Sequence, residues 1–271
     1  MDWQILGHQK QTEFLTKAIQ SGRIAHAYIF AGPAGVGKKT VAQKFAEFLI
    51  GTIKNNPDCI EIVGREGIRI EAIRDLAYKL SLKPYSASYK VAVIDDAENM
   101  TTEASNALLK VFEEPKPGTV IILITSNPQK LLSTITSRAQ KVTFGLVLEE
   151  EYKTFLEQAP DQKRLLAQKL SLGRPGIAYK ILNASEDQIA ELERTLALFE
   201  ILTRGDLVDK MKMVYEIADL ETAQIKEILE SWIVLSKNHG HKRHLLAASG
   251  LMDRNVNSKL LLSNLILNFS V

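Results

Sequence analysis

The sequence predicts an α/β protein, in which a parallel sheet covered by helices occupies the first half and the second half is entirely helical. The first 145 residues alternate short apolar runs with amphipathic helix patterns, which is typical of such a sheet. The run Val120–Ile124 is apolar throughout, and this favours helices on both faces of the sheet, because a half-exposed strand would alternate. After Gly145 the strand patterns stop.

Strands and helices follow one another in a regular order in the first half. A strand at Ala27–Ala31 leads into a glycine-rich loop, and a helix at Val41–Ile50 comes next. The segment Gln140–Phe144 is the candidate for closing the sheet. Between them we expect, in order, a strand at Asp58–Val63, a helix at Ile70–Leu80, a strand at Val91–Ile94, a helix at Thr102–Phe112 and a strand at Val120–Ile124.

The change in pattern along the chain predicts three domains. We expect residues 1–145 to form an α/β core, residues 146–186 to form a small helical lid, and residues 187–271 to form an all-helical domain. The helices expected after the core are Leu148–Gln158, Gln162–Ser171 and Pro175–Asn183 in the lid, then Asp187–Arg204, Leu207–Asp219, Thr222–Lys237 and Asn257–Leu267.

Composition limits the classes of protein. The 271 residues are 45% hydrophobic and 24% charged, which excludes a disordered or fibrous chain. A net charge of +2 gives no overall field for nucleic acid or a membrane, so any DNA contact must come from a local patch. No apolar run is long enough to span a membrane, and no signal pattern opens the sequence. The single cysteine, Cys59, cannot form an internal disulfide, and a reducing cytoplasmic location is expected.

A glycine-rich loop follows the first predicted strand directly and opens the first predicted helix. Its glycines Gly32, Gly35 and Gly37 allow backbone N–H groups to turn inward around phosphate oxygens, and the positive end of the helix faces the same anion. Lys38 is placed to reach terminal phosphates. The motif lies between a strand and a helix, as a phosphate loop requires. The sequence therefore predicts a phosphate-loop fold.

This loop departs from the usual motif at its last position. The residue after Lys38 is normally Ser or Thr, whose hydroxyl binds Mg²⁺, but here it is Lys39. Thr40 follows one residue late, about 100° further round the helix. A second ammonium group would also repel the metal ion. The binding of ATP and Mg²⁺ as cofactors is therefore expected to be weak. Two alternatives stand: the loop binds nucleotide weakly, or it does not bind nucleotide.

Two carboxylates end the third predicted strand. In phosphate-loop enzymes the first carboxylate, here Asp95, holds Mg²⁺ through water, and the second orients the attacking water. The second is usually Glu, and Asp96 is about one methylene shorter, which sets a general base back from its water. The alternative is a strand that ends in a polar turn.

Further motifs lie along the first half: His26-Ala27-Tyr28, Asp95-Asp96-Ala97-Glu98, Ser105-Asn106-Ala107-Leu108-Leu109-Lys110, Glu113-Glu114-Pro115 and the string Leu131–Ala139. Together these motifs resemble the bacterial clamp-loader subunits of DNA polymerase III, which are AAA+ proteins related to eukaryotic replication factor C. The resemblance covers residues 1 to about 185 by motif, and the remainder by helical character and order. It implies an AAA+ core, a helical lid and a helical collar domain that joins subunits.

The resemblance also implies roles for two polar positions. In that family the arginine of a Ser-Arg-Cys segment enters the ATP site of the neighbouring subunit, and Arg138 lies at this place, with Ala139 instead of cysteine. The alternative is an arginine that is salt-bridged near a helix end. Thr125-Ser126-Asn127 corresponds to the polar sensing position, with Asn127 as a candidate γ-phosphate contact. Alternatively, Asn127 only starts a turn with the proline that follows.

Several departures from the family's motor subunits make the chain similar to the δ′ type, which often has a degraded nucleotide site and a retained arginine finger. Lys39 and Asp96 are two of them. In the lid, Gly176 stands where motor subunits usually carry an arginine, and Arg174 lies two residues too early to replace it. Many relatives also insert a four-cysteine zinc module, which the single Cys59 cannot supply, so no metal site is predicted.

The expected function is therefore to assist an ATPase in trans without ATPase activity of its own. The implied partners are clamp-loader motor subunits, a clamp-opening subunit, the sliding clamp and, through the assembly, primed DNA, with no membrane partner. Two alternatives stand: an ATP-hydrolysing motor subunit of the γ/τ type, and an AAA+ ATPase or adaptor outside replication.

Histidines at two places allow more than one interpretation. His8 lies near the start, where relatives form the rim of the adenine site, and the alternative is a cap on the first helix. His239, His241 and His244 lie among basic residues, for which we expect a solvated turn between helices rather than a contact with DNA phosphates. The neighbouring basic residues are Lys237, Lys242 and Arg243.

Overall fold

The computed structural model describes residues 1–64, 67–236, 238–252 and 256–269. The chain forms two compact units, Met1–Lys180 and Ile181–Val271. The first unit contains the predicted core and most of the predicted lid, and the second contains the helices that follow. The finer division into core, lid and helical domain stays a prediction.

The first unit is built on a five-stranded parallel sheet in the order β2-β3-β4-β1-β5. Each of the five predicted strands is confirmed, and the last one pairs with β1 at the edge of the sheet. The strands are β1 (Ala27–Ala31), β2 (Cys59–Val63), β3 (Lys90–Asp95), β4 (Thr119–Thr125) and β5 (Gln140–Thr143).

Eight helices accompany the sheet in the described part of this unit, the last of which extends to Leu182. They are α1 (Gln9–Gln20), α2 (Lys38–Ile50), α3 (Ile70–Ser81), α4 (Thr102–Glu113), α5 (Ser133–Thr136), α6 (Lys153–Glu157), α7 (Asp161–Ser171) and α8 (Pro175–Leu182). The single helix expected at Leu148–Gln158 is wrong in extent, because a 3₁₀ turn at Glu149–Glu151 precedes the short α6.

Helices cover both faces of the sheet, as the apolar strands predict. Side chains alternate between the faces along β1, since its residues point to opposite sides of the pleat. Tyr28 and Phe30 belong to one buried cluster, together with Phe45 of α2. Ile29 belongs to the other cluster, together with Leu108 of α4. This arrangement places the carboxyl ends of β1, β3 and β4 at one edge, where loops carry the predicted site residues.

The second unit is a bundle of helices around its own apolar core, which includes the fully buried Trp232. The expected turn at His239–His244 is wrong: these residues begin α12, which buries Leu245, Ala248 and Met252 at helical spacing. Lys237, the first residue of that basic cluster, lies outside the described residues. The helices are α9 (Glu186–Arg204), α10 (Leu207–Ala218), α11 (Thr222–Leu235), α12 (His239–Met252) and α13 (Ser258–Asn268).

Candidate functional site

The glycine-rich loop joins the carboxyl end of β1 to the start of α2. Gly35 and Gly37 have φ angles of +79° and +102°, which residues with a side chain rarely adopt. The N–H of Val41 donates to the carbonyl of Gly37 and closes the first turn of α2. The N–H groups that precede Val41 in this turn have no carbonyl inside the helix to bind. The loop therefore has the local geometry of an anion site.

Lys38 is held inside this loop. Its Nζ donates to the carbonyl oxygens of Gly32, at 2.6 Å, and Pro33, at 2.8 Å, and the residue is only 6% exposed. Burial lowers the pKa of Lys38, while the carboxylates of Glu98 and the acidic pair raise it in part. Because both hydrogen-bond acceptors are neutral carbonyls, a phosphate is a more strongly charged partner for the same ammonium group.

Lys39 pairs with the first aspartate of the acidic pair. Its Nζ lies 3.4 Å from Oδ2 of Asp95, and the two side chains are 39% and 20% exposed. Asp96 has a left-handed backbone with φ +54°, which ends β3 in a tight turn. The position that usually supplies a hydroxyl to Mg²⁺ thus supplies a cation to the carboxylate that usually holds the metal.

A cavity of about 830 Å³ opens above these residues, a size suitable for a nucleotide-sized ligand. One wall contains the loop, both lysines and both aspartates. The other walls come from the N-terminal segment, the end of β4 and the lid. The residues outside the loop and the acidic pair are Gln4, Ile5, Leu6, Ile124, Thr125, Ser126, Phe155, Pro175, Gly176, Tyr179 and Lys180.

The structure brings most, but not all, of the predicted site residues to this cavity. Gly35, Gly37, Lys38, Asp95 and Asp96 line it together with an exposed Thr40. Gly32 is not among the described residues that line the cavity; its carbonyl oxygen accepts a hydrogen bond from the ammonium of Lys38. In the predicted sensing segment the neighbours Thr125 and Ser126 line the cavity, whereas Asn127 is exposed and donates its N–H to Oγ1 of Thr125 at 3.0 Å.

The lid approaches the phosphate loop backbone to backbone. The N–H of Gly176 donates to the carbonyl of Gly35 at 2.8 Å. A Cβ on Gly176 would lie 2.8 Å from that oxygen, so the contact requires glycine. On the other side, a Cβ on Gly35 would lie 2.7 Å from Cγ1 of Ile177. The absence of an arginine at position 176 therefore allows a closed contact between lid and loop.

Two residues that position the site escape local sequence patterns. His8 is the N-cap residue of α1, in agreement with the alternative interpretation, but its side chain makes no capping bond. Its Nε2 instead lies 2.7 Å from the carbonyl oxygen of Val36, and this contact holds the phosphate loop in place. Glu98 accepts the N–H of Ser126 at 2.8 Å and so links the segment after β3 to the end of β4.

Arg138 lies just after α5, on the way to β5, and is not among the described residues that line the cavity of its own chain. Its Nη2 lies 3.3 Å from Oε1 of Glu113, and its Nη1 donates to the carbonyl of Thr134 at 3.1 Å. The side chain is 40% exposed and that of Glu113 is 53% exposed. The guanidinium of Arg138 therefore lies at the surface of the first unit, and both of these contacts are solvent-exposed.

The described residues contain no group of three or more His, Cys, Asp or Glu side chains placed to hold a metal ion. Cys59 has a free thiol that is half-buried, and burial raises its pKa to about 11. None of the described helices combines the length and apolar character that crossing a membrane requires.

Residues 7–147, slightly more than half of the chain, match the family model described as DNA polymerase III, delta subunit. The chain belongs to this family. It is 30% identical over 213 residues to the DNA polymerase III subunit delta′ of Bacillus subtilis, an alignment that covers 70% of this chain and 63% of that protein.

Subunits of another type are equally similar. The DNA polymerase III subunit tau of Bacillus subtilis is 30% identical over 186 residues, which cover 62% of this chain and 33% of that protein. The chain spans about a third of the length of the first curated relatives that it matches. Membership of the DNA polymerase III family is therefore shown, but sequence identity does not separate the two subunit types.

Solved structures share the fold. A DNA polymerase III gamma subunit-related protein from Thermotoga maritima superposes with a TM-score of 0.58 at 20% identity, covering 96% of this chain and 98% of that one. The RuvB Holliday junction branch migration motor of the same organism superposes with a TM-score of 0.53 at 19% identity, covering 96% and 88%. This likeness confirms the predicted fold, a parallel α/β core followed by helices.

Proposed function

We propose that the chain is a δ′-type subunit of the DNA polymerase III clamp loader and that Arg138 acts as an arginine finger in the ATP site of a neighbouring motor subunit. The observation that carries the proposal is the contrast between an exposed arginine outside the chain's own cavity and a phosphate loop whose metal position is taken by Lys39. Similarity to a protein named delta′ supports it.

The chain's own site lacks two requirements for hydrolysis. Asp95 is paired with Lys39, so its carboxylate is neutralised where a metal ion would need it. Asp96 is shorter than the usual glutamate and itself has the left-handed backbone of the tight turn after β3, which leaves the attacking water without a well-placed base. Negligible ATPase activity of the isolated chain follows from both.

Arg138 has the properties that a finger in trans needs. The pair with Glu113 is exposed, and exposed pairs contribute only about 0.2–1 kcal/mol, so a triphosphate can replace the carboxylate at small cost. Arginine presents a planar fork of donors suited to phosphate oxygens. Arginine fingers accelerate hydrolysis by roughly 10³–10⁵ in well-studied nucleotide hydrolases.

The test is ATP hydrolysis by an assembly of this chain with the motor and clamp-opening subunits, in the presence of the sliding clamp and primed DNA. We expect Arg138→Ala to reduce hydrolysis and clamp loading by roughly tenfold or more, a floor below the usual range for a finger. Arg194→Ala is the matched control, because Arg194 is also 40% exposed and also pairs with a surface carboxylate, Glu216, at 2.8 Å. Equal rates for the two variants would remove the finger from the proposal.

A motor subunit of the γ/τ type is the second candidate, because the tau protein of Bacillus subtilis is as similar as the delta′ protein. The cavity also retains Lys38 and both aspartates. The isolated chain separates the two candidates: steady turnover of ATP with Mg²⁺ favours the motor, and absence of turnover favours the δ′ type. Co-purification with other DNA polymerase III subunits tests the replicative role itself. The expected cytoplasmic location depends on this role.

A further inference from the structure

The pair formed by Lys39 and Asp95 has a consequence for what the cavity can bind. Magnesium requires oxygen ligands in near-octahedral geometry at about 2.0–2.1 Å. Here Oδ2 of Asp95 has an ammonium group at 3.4 Å, and the residue that should provide a hydroxyl provides that ammonium instead. Thr40, the nearest hydroxyl in the sequence, is exposed and lies further round α2. These residues do not fit a divalent cation.

The anion-binding part of the same site is nevertheless complete. Lys38 is buried in the loop, the loop glycines have the required positive φ angles, and His8 supports the loop through the carbonyl of Val36. The ammonium of Lys38 donates to neutral carbonyls of the loop, and burial lowers its pKa, so a phosphate entering the loop would give this buried group a charged partner.

The cavity also offers a surface for a base. Ile5 and Leu6 line it on the N-terminal side, and Phe155 and Tyr179 line it on the lid side. The rings of these two aromatic residues are nearly parallel, with centroids 6.2 Å apart and an interplanar angle of 11°. The cavity thus combines apolar and aromatic side chains with Lys38 and Lys39 at the loop and Lys180 at the lid, a lining that is complementary to a nucleotide.

We propose that this cavity binds a nucleoside polyphosphate without a divalent cation, and that the ammonium of Lys39, paired with Asp95, takes the place of Mg²⁺. Lys38 supplies positive charge to the phosphates, with Lys180 on the lid side of the same cavity, while Lys39 keeps the carboxylate of Asp95 neutralised beside them. Without a metal ion to polarise the γ-phosphate, the nucleotide stays intact and acts as a part of the folded subunit. The proposal concerns the chain's own site, so it stands or falls independently of Arg138.

Calorimetric titration of the purified chain tests the proposal. The chain is titrated with ATP, and separately with ADP, once in EDTA and once in excess Mg²⁺. We expect binding in EDTA that excess Mg²⁺ does not tighten and instead weakens, because Mg²⁺ removes free nucleotide from solution and the site has no place for the bound metal ion. Absence of binding in EDTA up to millimolar ATP would overturn the proposal. So would binding that becomes more than tenfold tighter when Mg²⁺ is added.

Substitution of Lys39 locates the effect. Lys39→Thr restores the usual hydroxyl and removes the ammonium, so we expect binding in EDTA to weaken tenfold or more and Mg²⁺ to recover it. Lys39→Arg keeps the positive charge and should retain metal-independent binding. Lys44→Thr is the control, because Lys44 lies on the same helix with similar exposure, 34%, and pairs with Glu47 away from the cavity lining.

Circular dichroism of each variant shows whether it is folded before it is titrated. If Lys39→Thr does not fold, Lys39→Arg in parallel with wild type still tests whether a cation at this position suffices. Lys39→Thr with the same metal response as wild type would contradict the role of Lys39, as would loss of EDTA binding in folded Lys39→Arg.

Discussion

The phosphate-loop cavity and the surface around Arg138 hold their charged groups in opposite ways. In the cavity, Lys38 is 6% exposed with two carbonyl partners, and the lid bonds to the loop through backbone atoms. Around Arg138 the guanidinium is 40% exposed and has one weakly held carboxylate partner. The proposed finger role requires this difference, because a group that acts in a neighbouring subunit must be accessible and easily released from its own chain, whereas a group that binds within its own chain gains from burial.

The largest expected effect is on the rate of ATP hydrolysis, which should respond differently to substitutions in the two regions. In the assembled clamp loader we expect Arg138→Ala to lower ATP hydrolysis tenfold or more, because a finger acts in the transition state. Lys38→Ala should lower it by less than threefold, because under the proposed function the chain's own site does not hydrolyse ATP. The measurement is steady-state hydrolysis at saturating ATP. A reversed order, with the larger loss for Lys38→Ala, would identify the chain's own site as the hydrolytic one.

The sequence predicts the fold well because its signals are local. Strands of the parallel sheet are apolar throughout, and the phosphate loop has a fixed spacing between a strand and a helix. The helix α12 escapes prediction because it begins with polar and basic residues, and its buried positions, Leu245, Ala248 and Met252, show only once the neighbouring helices are packed against it.

The site is predicted less completely, because its decisive contacts join distant parts of the chain. The sequence suggests that Lys39 repels a metal ion, but its pairing with Asp95 depends on how α2 lies across the sheet. His8 reaches Val36 across 28 residues, and no local pattern indicates this. The bond between Gly176 and Gly35 likewise requires the lid to be in place.

A second prediction tests how tightly the cavity region is packed. Gly35→Ala should reduce the free energy of unfolding by about 2–3 kcal/mol, because it adds a contact at 2.7 Å with Ile177 to the cost of a positive φ. Gly22→Ala is the control: its φ is +66°, but nothing lies within 4 Å of the added Cβ, so about 1 kcal/mol is expected. Urea denaturation followed by circular dichroism compares them, and equal costs would show that the lid yields to the new methyl group.

The smallest expected effect concerns the partner of Arg138. Glu113→Gln should change the free energy of unfolding by less than about 1 kcal/mol, because the pair is exposed and the amide oxygen can still accept a hydrogen bond. Glu216→Gln, which affects the similar pair with Arg194, should change it as little. If Glu113 only holds the guanidinium until a neighbouring triphosphate replaces it, hydrolysis by the assembly should also stay within threefold. A tenfold loss with Glu113→Gln would instead mean that Glu113 orients Arg138 during catalysis, and the surface would then be as firmly organised as the cavity.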